Sequence, residues 1–211
     1  AATAGLRPVL ERVLESLLAV SGIAAEGLTR DVGWRFLDAG RRIERAQHVL
    51  DTLSATAVRA GAADVDELVL ESVLLTHESA ITFRRRFQAA PQVPAVLDLL
   101  VHDRTNPRSL AYSLDRLLVD LEAVPVSSRP VQRDHLLRDV TDLEAELDAV
   151  AAGSAVGPDG RRGRLAESLD SMRWRLRAAH VEIERVHFSR PAPLRTQTDL
   201  WGSPNAAEVA P

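Results

Sequence analysis

The sequence predicts an all-α protein: an antiparallel bundle of about six to seven helices followed by a disordered C-terminal tail. Three observations point there. Apolar residues recur three and four apart along most of the 211 residues. No segment alternates as a half-buried strand would. Short loops carrying Pro and Gly separate the periodic stretches.

Taken in order, the first helix has Pro8 in its first turn and the apolar series Leu10, Val13, Leu14, Leu17 and Leu18; Gly22 and Gly27 loosen its end. Thr29 or Asp31 caps a second helix that runs to about Arg59, with Phe36, Gly40, Ile43, Gln47 and Leu50 as its core stripe. A third helix is expected from about Asp66 to Gln88. It should be buried all round over Leu68–Leu75 and is stopped by Pro91 and Pro94. After a short segment, Ala95–His102, Asn106 as cap and Pro107 at the first helical position start a helix with Leu110, Leu114, Leu117 and Leu121 on one face. Pro125 and Pro130 bracket the next loop, and Leu136, Val140, Leu143, Leu147 and Val150 form a further stripe. A loop with the turn sequence Pro158-Asp159-Gly160 precedes the last helix. There Leu165, Leu169, Met172, Leu176, Ala179, Ile183 and Val186 alternate four and three apart. Each stripe reads as core packing. The division expected is one bundle over 1–190 and an extended or disordered tail over 191–211.

Composition narrows the chemistry. The chain has no cysteine, which removes disulfides, thiolate metal sites and a cysteine nucleophile. Its 26 basic residues are all arginine, so no P-loop or Schiff-base lysine is present. A net charge of −4 argues against general nucleic-acid binding. No apolar run reaches the ~18 residues of a membrane span. The expectation is a cytoplasmic protein without nucleic-acid or membrane partners.

Three polar groups stand out. On the second helix, Trp34, Arg41, Arg45 and His48 share a face, at about 100° per residue. Glu44, between that face and the core, is expected to be partly buried, with Arg41 as its local partner and a guanidinium over Trp34. On the third, His77 falls on the stripe of Leu70, Val73, Leu74 and Ile81, while Glu78, Thr82 and Arg85 share the adjacent face. The third group is the run Asp103–Arg108. Its Arg108, in a first helical turn, needs a compensating carboxylate, Asp103 or one from another helix, and with the positive helix N-terminus it is also a candidate anion site. Glu184-x-x-His187 is half of a di-iron pattern whose other half is absent, so no metal is expected.

Segments Thr29–Ala46, Ile81–Phe87 and Asn106–Tyr112, with the ending Ile183–Phe188, together resemble the bacterial alpha-E domain family, over about residues 6 to 190. The resemblance implies a helical domain fused to, or encoded beside, a circularly permuted ATP-grasp ligase, with transglutaminase-like and proteasome-related peptidases as neighbours. The implied role lies in making or modifying peptide or amide bonds. The family's Glu-Arg motif maps to Glu44 and Arg45, and neighbouring family positions map to Arg30, Asp31, Trp34, Arg41, Arg85, Asp103, Asn106 and Arg108. Glu78 joins them as a candidate from the helical pattern. Phe83, Phe87 and His187 stand where tyrosine is common in the family. The family's earlier Glu-Arg helix is absent, which with the Ala1 start suggests the C-terminal part of a larger protein.

The leading expectation is an accessory or substrate-positioning domain of an ATP-grasp amide ligase system, acting in cis or in trans, in which Glu44 with Arg41 and Arg45 organises the bundle and Arg85 and Arg108 present guanidiniums to a carboxylate or phosphate. No cofactor is assigned to this chain; ATP and Mg belong to the associated ligase. Two alternatives stay open. One is an enzyme in its own right with Glu44 or Glu78 as general base; the other is a structural interaction module.

Overall fold

The computed structural model describes residues 3–125, 138 and 155–188. The stripe over 136–150 and the tail over 191–211 lie outside the described residues. Among those described, the chain forms seven α-helices: α1 (Thr3–Glu26), α2 (Val32–Thr56), α3 (Ala63–Thr76), α4 (Ala80–Phe87), α5 (Val93–Leu97), α6 (Leu110–Ala123) and α7 (Gly163–Ile183). Two π-helical turns, Asp98–His102 and Glu184–Phe188, continue α5 and α7. None of these helices is long and apolar enough to cross a membrane.

The core is organised around α2, which packs most extensively on α6 and next on α7. Asp31 caps α2 in extended conformation, its carboxylate accepting from the Trp34 N–H at 3.0 Å. Such a cap is worth about 1 kcal/mol. The buried face of α2 is Ala39, Ile43, Ala46, Val49, Leu50 and Leu53. It is turned from the expected stripe: Gly40 is exposed and Gln47 half-buried. Small Ala39 and Ala46 bring α2 close to its neighbours, and that is what decides the face. On α6, Leu110, Leu114, Leu117 and Leu121 are buried as expected. The α7 stripe from Leu165 to Val186 is buried throughout, including Met172 and Ala179.

The expected single helix over 66–88 is two helices. The backbone reverses after Thr76 through a Schellman motif: Ser79 N–H donates to Leu74 C=O at 2.8 Å and Glu78 N–H to Leu75 C=O at 3.0 Å. Glu78 takes the left-handed conformation, φ +50°, that glycine usually fills. Neither Gly nor Pro marks this break. The face of α3 expected to be buried all round is also half open, with Leu68 and Leu75 exposed.

The α6 start is displaced as well. Ser109, not Asn106, is the cap, and its hydroxyl accepts from Tyr112 N–H at 3.0 Å. Asn106 instead ties the preceding turn, donating to Leu99 C=O at 3.1 Å and accepting from Arg108 N–H at 3.1 Å. Before α7, Gly160 turns the chain at φ +72°. Arg161 then pairs with Arg59 in an isolated antiparallel bridge. Buried Arg162 donates to Ala57 C=O at 2.8 Å. These contacts fasten the start of α7 to the end of α2.

The largest departure is α1. Pro8 lies within it rather than at its first turn. Its apolar side chains are exposed rather than packed: Leu6, Val9, Leu10, Val13, Leu14, Leu17, Leu18, Val20 and Ile23 are 49–67% accessible. Among its described side chains only Ala24, at its end, is buried.

Candidate functional site

On α2, His48 lies against the junction between α3 and α4. The His48 and His77 rings lie 4.8 Å apart. Arg108 reaches the same junction and pairs with the Glu78 carboxylate. The compensating carboxylate for Arg108 is thus Glu78, because the backbone reversal carries Glu78 away from the helix face it was expected to share with Thr82 and Arg85. Asp103 is engaged elsewhere, with Arg86 at 2.9 Å and with Thr105 N–H and hydroxyl at 2.8 and 2.6 Å. Burial alone would raise the Asp103 pKa, but the Thr105 donors, Arg86 and the Asn106 N–H outweigh it and hold it low.

His77 is buried with Nε2 lacking a hydrogen-bond partner. Burial, then the neighbouring His48 and Arg108 charges, depress its pKa to about 4, so it is neutral at pH 7. The side chain of Arg45 is exposed overall. Partial loss of hydration, followed by repulsion from Arg108, Arg42 and Arg41, nevertheless lowers its pKa below the usual arginine range. Arginine stays charged under such shifts. Among the described residues, Arg41 and Arg45 find no hydrogen bond or ion pair.

Glu44 corrects an expectation: it is exposed, not partly buried, and Arg41 does not pair with it. The turn of α2 that buries Ile43 and Ala46 leaves position 44 outward. Arg41, Glu44 and Arg45 instead border a shallow hollow of about 380 Å³ floored by Phe36, Leu37 and Gly40. Phe36 is backed by His187 at 5.1 Å and Phe188 at 4.8 Å. His187 therefore serves in aromatic packing. Among the described residues no three His, Asp or Glu side chains gather as a metal site would require.

Other candidates sit apart. Arg30 stacks on Trp34, 4.2 Å from the ring centroid, and caps Ala24 and Ala25 carbonyls, so Arg30, Asp31 and Trp34 build the start of α2. Arg85 is exposed on α4.

Sequence reasoning missed a buried acid pair between α2 and α6. Asp38 and Asp120 are 4% and 0% exposed. Arg42 grips Asp38 with two hydrogen bonds, 2.9 and 3.2 Å. Arg35 donates to Asp120 at 2.9 Å. Burial, with the adjacent Asp38 charge, raises the Asp120 pKa. Burial also acts to raise Asp38, but the Arg42 hydrogen bonds and the hydrogen bond shared with Asp120 prevail and lower it. Asp120 Oδ2 is buried without a hydrogen-bond partner among the described residues. The signal was available: Ser113, Leu117, Asp120 and Val124 are spaced four, three and four on the face of α6 that turned out to be its core.

Fold and site together define an all-helical domain with a buried ionic layer at its centre and an arginine-edged hollow at its surface. The family described as a predicted alpha-helical domain with a conserved ER motif matches residues 1–188, and the chain belongs to this Alpha-E family. Uncharacterized proteins of Mycobacterium bovis and of Mycobacterium tuberculosis (strain H37Rv) are each 33% identical over 215 residues, covering 100% of this chain. The chain spans about a quarter of those relatives, 23% of their length. Among solved structures none matches.

Proposed function

We propose that the chain is a substrate-positioning helical domain of an ATP-dependent amide or peptide ligase system. Arg41 and Arg45 hold a substrate carboxylate or phosphate at the rim of the Phe36–Gly40 hollow. The observation that carries this reading is the pair of guanidiniums without described partners, set beside an apolar floor. Arginine takes carboxylates and phosphates through two parallel N–H bonds. Repulsion from Arg108 and Arg42 leaves Arg45 with charge that an incoming anion relieves. Arg108 itself is already engaged by Glu78, so its part is to brace the junction.

Family membership supports the wider setting, with an ATP-grasp ligase domain as partner in cis or in trans and with ATP and Mg bound by that partner. Transglutaminase-like or proteasome-related peptidases would act on the same material. The test is turnover of the intact ligase system with Arg45→Gln and Arg41→Gln, alongside circular dichroism. The expected result is at least a tenfold rise in KM for the carboxylate substrate with helicity kept. Unchanged KM in the folded double variant would overturn the reading.

A further inference from the structure

The nine exposed apolar side chains of α1 form one continuous face. Leu6, Leu10, Val13, Leu17 and Val20 alternate four and three apart, the spacing of a coiled-coil seam. Val9, Leu14, Leu18 and Ile23 widen it on both sides. Arg12, Glu15 and Glu26 lie on the opposite arc, while Arg7 and Glu11, which pair with each other at 2.9 Å, edge the face beside Leu14 and Leu18. No described element packs along this helix, so among the described residues the face is uncovered.

We infer that α1 is a self-association helix whose face is covered by α1 of a second copy, lying antiparallel. Area is the first argument. At roughly 60–120 Å² of apolar surface per aliphatic side chain, nine supply roughly 540–1,080 Å². A stable interface takes about 800 Å² from each partner. Layer composition is the second. One antiparallel alignment sets Leu10 against Val20 of the other copy and Val13 against Leu17, and symmetry repeats both. Every central layer then has one leucine facing one valine, an alternation of large and small that interdigitates. Direction is the third. The C-terminal end of α1 leads into the body, so parallel pairing would crowd two bodies at one end. Antiparallel pairing separates them by the ~36 Å length of a 24-residue helix.

The test is the mass of the full 211-residue chain by sedimentation velocity over a wide concentration range. A dimer is expected, and Leu10→Glu with Leu17→Glu should return it to a monomer of unchanged body melting. Orientation is read separately, because the chain has no native cysteine. Val13→Cys and Leu17→Cys proteins, mixed and oxidised, should cross-link to each other, and neither should do so efficiently alone. A monomer at every concentration would overturn the inference. If α1 then resists proteolysis, the face is covered within the chain; if it is digested, the face is free. A dimer that survives both glutamates, or Val13→Cys cross-linking to itself as well as to Leu17→Cys, would overturn this interface or its direction.

Discussion

Helices α1 and α7 carry nearly the same apolar rhythm and meet opposite fates. In α1, Leu6, Leu10, Val13, Leu17 and Val20 step four and three apart; in α7, Leu165, Leu169, Met172, Leu176, Ala179 and Ile183 do the same. Every one of the α7 series is buried, Leu165 and Leu169 completely. All of the α1 series is open to solvent. Periodicity reports that a helix has an apolar side; it carries no information on what covers that side. The difference lies in fastening. α7 is stitched at its start to the end of α2 by the Arg59–Arg161 bridge and by Arg162 on the Ala57 carbonyl. Among the described residues α1 is held to the body at its end, where Arg30 reaches the Ala24 and Ala25 carbonyls.

A single charge placed in each helix gives the sharpest contrast. Leu176→Asp buries an unpaired carboxylate in the core and should abolish the cooperative melting of the body, because the penalty rivals the whole stability of a domain. Leu17→Asp should leave body melting, followed by near-UV dichroism, within about 0.5 kcal/mol of the parent at low protein concentration. If both variants melt alike, α1 is part of the core and the contrast fails.

Next in size is the buried ionic layer. Asp38→Ala strands the Arg42 guanidinium and should cost about 3–5 kcal/mol in urea unfolding. The same substitution at exposed Asp31 removes one cap and should cost about 1 kcal/mol.

His77 gives a smaller, pH-dependent effect. Its folded pKa, about 4, lies below the unfolded value of 6.5, so the unfolded chain binds the extra proton. The stability that neutral His77 contributes is present above pH 6.5 and is lost as pH falls toward 4. Replacing this unpartnered ring by His77→Leu should flatten the stability profile between pH 6.5 and 5 relative to the parent and leave pH 7 stability equal or higher. A parent profile that is already flat there would show His77 to be solvated.

The smallest effect concerns Gly40, on the solvent side of α2, where a Cβ would meet no atom within 4 Å. Gly40→Ala should stabilise the helix by about 0.5–1 kcal/mol in thermal melts. It also adds a methyl group to the floor of the hollow.

Much of this could be read from the residues alone. The helical class, the Leu110–Leu121 face, the α7 stripe, a cap at Thr29 or Asp31 and a guanidinium over Trp34 all follow from spacing and local chemistry. Two features did not. The break at Glu78 has no Gly or Pro to announce it; a Glu held in a left-handed turn by its Schellman bonds and paired with Arg108, 30 residues on, is a tertiary outcome. The outward position of Glu44 depends on α2 turning its alanines inward, which packing against α6 and α7 decides. The Glu-Arg motif was legible as a motif, but its two side chains border a surface hollow instead of forming a buried network.

The Asp38–Asp120 layer also constrains how α2 and α6 can slide. Leucine surfaces alone would tolerate several offsets along the axis, since one turn of helix looks much like the next. Moving α6 by one turn, about 5.4 Å, would carry Asp120 away from Arg35 and Asp38 and leave those charges against hydrocarbon. The four polar side chains work as an index pin: they add little to the gross attraction between the helices and penalise every offset but one.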